Sequence, residues 1–192
     1  MDIVKSLETL IQKLKQSDTS NHGKIIKNIN IPLSDFEAYA SWCDGGYTRN
    51  CIFRTKECEL ILLCWDKGAA TPIHGHDGQK CWVYQIEGQM TEVRYEKFES
   101  RDLFETNRMQ LNPGKITFMN NAMGYHELVN DNNGRAMTLH AYILPIDSCE
   151  VYCEEEEGFK SKDMEYDTVE GNTLAEIYQK LENLYPLKTL YY

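Results

Sequence analysis

The sequence has no long apolar run, no CxxC pair and no excess of basic charge, and each absence weighs against a class of function. The longest apolar stretch, Leu60 to Trp65, is far short of a bilayer span, so no membrane crossing is expected. The N-terminus carries Asp2 and then a helical pattern broken by Lys5, Glu8 and Lys13. It lacks the basic start and unbroken apolar core of an export signal, and the cytoplasm is the expected compartment. Acidic residues number 30 against 20 basic, a net charge of −10 that would repel nucleic-acid phosphates and anionic lipid. The 7 cysteines (Cys43, Cys51, Cys58, Cys64, Cys81, Cys149, Cys153) are odd in number and irregularly spaced. They give no support to a zinc or redox motif, fit a reducing compartment, and are expected mostly as small buried hydrophobes. The acidic surface points to solubility rather than assembly, so a monomer is expected.

What is present is enough for one core. At 192 residues, 42% hydrophobic and 26% charged, the chain suits a single domain with terminal helices. Ile3, Leu7, Leu10, Ile11 and Leu14 recur at helical intervals and stop at the polar run Ser17 to Gly23, which predicts one amphipathic helix. Ser34 with Glu37 three residues on predicts a second, short helix to Trp42, stopped by Asp44, Gly45 and Gly46. From Tyr47 the chain reads as short β-rich runs: Tyr47 to Arg54, Glu59 to Trp65, Cys81 to Glu87, Met90 to Phe98, Gly114 to Met119, Tyr125 to Asn130 and Ala136 to Ile143. Turn residues separate them, as at Asp77 and Gly78 or Asn112 to Gly114. The expectation is an all-β sandwich or barrel over 47–153, preceded by a helical segment over 1–44. Over 154–192 follow a solvated acidic loop at Glu154 to Glu157 and a C-terminal helix, Thr173 to Leu184, packed outside the barrel.

Four of the 5 histidines, His74, His76, His126 and His140, fall in the β-rich region. In a strand, residues two apart share a face, so His74 and His76 can aim two imidazoles at one point. A lone HxH is weak evidence, because histidine is as often a hydrogen-bonded interior or surface residue. The pair gains weight from its setting: Gly68, five residues, His74-Gly75-His76, four residues, Cys81, six residues, Gly88. This resembles the first motif of the cupin family, with Cys81 where most members carry a glutamate ligand. GYHELVN, Gly124 to Asn130, is similar to the second motif, with Asn120 and Ala122 in place of its proline and glycine. The resemblance implies a cupin jelly-roll β-barrel and His126 as a third ligand. Three neutral imidazoles without a carboxylate would leave the ion its full charge and open positions for a thiolate, an amine and dioxygen.

The likeness extends to the cysteine dioxygenase family. YTRN, Tyr47 to Asn50, resembles that family's substrate-carboxylate site, which implies Arg49 as the carboxylate's partner and Tyr47 as its hydrogen-bonding neighbour. LCWDKGAATPIHGH, ending at His76, is similar to its first metal segment. TLHAY, Thr138 to Tyr142, resembles a hydrogen-bonded relay in which Thr138 and His140 orient Tyr142 toward the metal. Cys81 stands where many members carry the cysteine of a thioether crosslink to that tyrosine, and Ile143-Leu144-Pro145 replaces the family's frequent Ser-Pro-Pro. The resemblance implies Fe(2+) as cofactor, cysteine and O2 as substrates, and cysteine sulfinic acid as product. Each assignment has a plainer competitor: Arg49 as a surface or structural arginine, Tyr142 and His140 as core residues facing opposite ways, Cys81 as an inert buried thiol. Rival functions are a 3-mercaptopropionate dioxygenase, in whose family glutamine usually replaces Arg49, a non-catalytic metal-binding cupin sensor, and a zinc-dependent sugar isomerase.

Overall fold

In the computed structural model, which describes residues 2–97 and 103–184, the β-rich runs become two sheets with an apolar layer between them. The first sheet contains β1 (Tyr47–Arg54), β2 (Cys58–Trp65), β3 (Lys80–Glu87), β6 (Ile116–Met119), β8 (Ala136–Ile143), β11 (Thr168–Val169) and β12 (Asn172–Thr173), in the order β12-β11-β1-β2-β8-β3-β6. The second holds β4 (Met90–Lys97), β5 (Leu103–Leu111) and β7 (Tyr125–Val129), ordered β5-β4-β7, together with the hairpin β9 (Ser148–Cys153) and β10 (Gly158–Asp163). His74 joins these two groups, pairing with His126 of β7 on one side and Val151 of β9 on the other. The result is a cupin-type jelly roll whose described strands leave edges open rather than closing into a barrel.

β2 explains much of the layering. Its run CELILLCW is buried at every position, because one face meets the second sheet and the other meets the N-terminal helices. Ile61, Leu63 and Trp65 pack with Val83, Leu111 and Leu128 between the sheets. Leu60 and Leu62 pack on the other face with Leu10, Ile26 and Phe36. A continuous apolar run, rather than an alternating one, is what a strand covered on both faces requires.

Several predicted boundaries move. The N-terminal pattern forms α1 (Leu7–Gln16), capped by Ser6, but the polar run Ser17 to Gly23 does not end the helical region. It carries α2 (Thr19–Ile26), which turns the buried His22, Ile25 and Ile26 toward α1 and the sheet. The helix predicted from Ser34 to Trp42 is instead two single 3-10 turns, Leu33–Asp35 and Glu37–Tyr39. Asp35 is occupied in accepting the Leu7 backbone N–H at 2.9 Å, and Phe36 alone is fully buried there, too little apolar surface to hold a longer helix. Strand β5 was not predicted, because it lies at a sheet edge and its middle is exposed and polar. The predicted strand end at Phe98 lies outside the described residues. Glu154 to Glu157 form the exposed tip of the β9–β10 hairpin, and sheet pairing continues past it to Thr173. The C-terminal helix exists as α3 (Leu174–Leu184), directly after β12, with Leu174 and Leu181 49% and 47% exposed. No helix among the described residues is long and apolar enough to cross a membrane.

Candidate metal centre

His74 and His76 lie not on a regular strand but on the irregular segment between β2 and β3. Backbone pairing still fixes His74: its N–H donates to His126 O at 2.9 Å, and His126 N–H returns a bond to His74 O at 3.0 Å. A reciprocal pair of this kind places both side chains on the same face. The glycine conformation needed just before β7 is taken at Gly124, φ +80°, where a Cβ would lie 2.3 Å from the Tyr95 carbonyl. The three rings then converge, with centroids 4.5 Å apart for His74 and His126, 4.8 Å for His76 and His126, and 5.4 Å for His74 and His76. Their ligand nitrogens all lie within 4.8 Å of one another, the only such group of three among the described residues.

Hydrogen bonds outside the cluster set which nitrogen faces in. His126 Nδ1 is 2.9 Å from Glu92 Oε1, and a carboxylate can only accept, so the proton sits on Nδ1 and the Nε2 lone pair is free. His74 Nδ1 is likewise held by the Pro72 carbonyl at 3.0 Å. His126 Nε2 and both nitrogens of His76 are buried without a partner. Orphaned buried acceptors are costly, and a cation held among the rings would satisfy His126 Nε2 and the one His76 nitrogen that carries a lone pair. Burial also keeps the imidazoles neutral: it pushes His74 down to about 4 and holds His76 and His126 well below the usual histidine range, with each neighbouring ring adding to the effect at His76. Three neutral nitrogen donors with free lone pairs fit a divalent first-row transition metal.

The remaining predicted residues surround this point. β8 places His140 and Tyr142 two residues apart and therefore on one face, which removes the reading in which they face opposite ways. Tyr142 lies 6.1 Å from the His76 ring and 6.3 Å from the His140 ring, centroid to centroid. Thr138 Oγ1 bonds His140 Nε2 at 3.0 Å and accepts from Trp65 Nε1 at 2.9 Å, so the first part of the relay forms. Tyr142 stands directly opposite Cys81 on β3, so thiol and phenol are neighbours across the strand pair. Burial raises both the thiol and the phenol far above their usual ranges, so both are protonated. Arg49 projects from β1 with Nε donating to Glu165 O at 3.1 Å and with Nη2 buried and unpartnered. The Tyr47 ring packs against Trp65, centroids 4.8 Å apart and planes tilted by 34°. Tyr47, Arg49, His74, Tyr142, Cys149 and Met164 line one cavity of ≈ 30 Å³, and beyond Arg49 and Met164 lies an outer cavity of ≈ 500 Å³.

A family model described as cysteine dioxygenase type I matches residues 1–155. The chain belongs to the cysteine dioxygenase type I family. Among curated members, it is 25% identical over 133 residues to cysteine dioxygenase type 1 of Rattus norvegicus, covering 67% of this chain and 66% of that one. It thus spans just under two thirds of the length of that relative. The Danio rerio protein of the same name is 24% identical over 160 residues, covering 79% of this chain and 77% of its own. A solved Thermus thermophilus structure superposes with a TM-score of 0.48 at 21% identity, over 57% of this chain and 94% of that one.

Four contributors to the site were missed in the sequence. Glu92 on β4 is fully buried and holds His126, while Pro72 holds His74 by its backbone. Glu165 and Asp167 hold Arg49 from a segment more than a hundred residues away in sequence. An acidic residue at an inward position of an apolar strand, as in Met90-Thr91-Glu92, was the one available signal, since such a carboxylate needs a buried partner. Asn130, which closes the second motif, is structural: its amide donates to the carbonyls of Asp66 and Gly134, both at 2.9 Å.

Proposed function

We propose that the chain is a thiol dioxygenase that converts L-cysteine and O2 into cysteine sulfinic acid, with Fe(2+) on His74, His76 and His126. The observation that carries this reading is the convergence of three neutral imidazoles, those of His74 and His126 anchored from outside, beside a buried, unpartnered guanidinium nitrogen. A ferrous ion held by His74, His76 and His126 would supply the redox chemistry that joins dioxygen to a thiol sulfur.

The chain's own residues do the rest. Arg49 takes the substrate carboxylate through Nη2, a charge-assisted bond in a water-poor cavity. Tyr47, packed against Trp65, walls the carboxylate end. Tyr142, kept protonated by burial, presents its hydroxyl as a donor toward the reacting centre, and Thr138 fixes His140 behind it. Cys81, directly opposite Tyr142, is the residue that would form a thioether to that ring, a step that removes two hydrogen atoms overall and needs O2 as oxidant. The narrow inner cavity favours a small thiol over a larger one.

The test is to load the protein anaerobically with Fe(2+), add L-cysteine, admit air, and identify the product by mass. The reading requires oxygen uptake and a product heavier than cysteine by two oxygen atoms. Absence of uptake with cysteine would support a metal-binding sensor, and faster turnover of 3-mercaptopropionate would move the assignment to that substrate. The intact mass of the same sample reports the crosslink as the loss of two hydrogens.

A further inference from the structure

Residues 164–168, which run from the end of β10 into the start of β11, lie beyond the 1–155 region matched by the family model, yet Met164 lines the inner cavity beside Arg49 and Met164, Glu165, Tyr166 and Asp167 line the outer one. This strap is tied to β1 at the residue that carries the guanidinium. Asp167 Oδ2 accepts from Arg49 N at 2.7 Å, Asp167 N donates to Arg49 O at 2.8 Å, and Glu165 O accepts from Arg49 Nε at 3.1 Å. Fixing Nε fixes the guanidinium plane, since the group is rigid and planar. The strap also seats Met164 in the cavity wall, where Met164 N bonds Asp147 O at 2.9 Å.

One side chain locks the strap to the core. The Tyr166 hydroxyl donates to Glu59 and accepts from Arg54. Glu59 is fully buried on β2, directly opposite Tyr142 on β8, and its second oxygen accepts from Ile146 N at 3.2 Å. Arg54 completes the group, 3.0 Å from Glu59 and 2.5 Å from Asp147. A buried carboxylate with three donors is a fixed point, and Tyr166 is the strap's only side-chain bond to it among the described residues.

We propose that Tyr166 is a positioning residue for thiol oxidation: by latching residues 164–168 to Glu59 it sets the plane of Arg49, and with it the preference for a thiol that bears a carboxylate. The proposal rests on the reading that Arg49 binds the substrate carboxylate. A hydroxyl with a merely structural role would lower thermal stability without discriminating between ligands.

The experiment compares wild type with Tyr166→Phe in steady-state kinetics and in hydrogen exchange of the protein without added metal. The expected result is a KM for cysteine raised roughly tenfold, the order associated with losing a hydrogen bond to a charged group, with kcat within about twofold. The inhibition constant of 2-aminoethanethiol, which has the thiol and amine but no carboxylate, should stay within about twofold. The Met164, Asp167 and Arg49 amides should exchange faster in the variant. An unchanged KM for cysteine, or equal weakening of both thiols, would overturn the proposal. If wild type does not oxidise cysteine, the proposed function fails on its own, and the exchange data still decide the latch: unchanged protection at these amides would refute it.

Discussion

Glu92 is the carboxylate closest in role to the one that the three-histidine set lacks, placed one hydrogen bond outside the ligands rather than among them. It receives His126 Nδ1, Thr117 Oγ1 at 2.7 Å and Arg94 Nη2 at 3.2 Å while fully buried. Glu92→Ala is therefore expected to weaken Fe(2+) binding by about 10- to 100-fold, measured by chelator competition, and Glu92→Gln, which keeps an acceptor, should weaken it less. Arg49→Ala should leave iron affinity unchanged and raise the KM for cysteine by an amount equivalent to about 2 to 4 kcal/mol, because the substrate carboxylate is left unpaired. Of the residues named from sequence motifs, His74, His76 and His126 converge, Tyr47, Arg49 and Tyr142 line a cavity with His74, and Cys81 and His140 each neighbour Tyr142. The pairing of their supports is not legible in the sequence, for a physical reason. Glu92, Glu59, Tyr166 and Asp167 act across separations of 34 to 118 residues, which only the folded pairing brings together.

At the scale of elements, β2 carries both apolar layers, and its loss of volume should be felt by both. Leu60→Ala is predicted to cost about 2 to 5 kcal/mol in urea unfolding, since Leu60 is fully buried between the sheet and the N-terminal helices. A strand with two covered faces announces itself as a continuous apolar run, and this is why β2 was read correctly. The exposed edge strand β5 and the polar helix α2 carry no such signal. α2 has only Ile25, Ile26 and His22 to anchor it, and the His22 ring reaches the Leu14 and Ser17 carbonyls at 3.0 and 3.1 Å, a contact with no local signature in the sequence. His74 shows the opposite case: the HxH spacing was right, but an isolated bridge between β7 and β9, rather than a regular strand, does the aiming.

Across the whole molecule, the buried imidazoles make stability depend on pH. His74 is pushed down to about 4, and burial holds His76, His126 and His140 well below the usual histidine value. The unfolded chain takes up protons below about pH 6.5 that the folded chain refuses, so unfolding gains protons and stability falls as pH drops. The urea midpoint of the metal-free protein should be flat between about pH 6.5 and 8 and decline from pH 6.5 toward about pH 4. A midpoint that rises on acidification would contradict the burial of these rings. The account as a whole turns on one iron atom, and anomalous diffraction at the iron edge from anaerobic crystals grown with Fe(2+) and L-cysteine tests it most directly. It predicts a single peak bonded to His74, His76 and His126, with cysteine sulfur on the ion and its carboxylate on Arg49. Iron elsewhere, or iron on the three histidines with the carboxylate pointing away from Arg49, would contradict it.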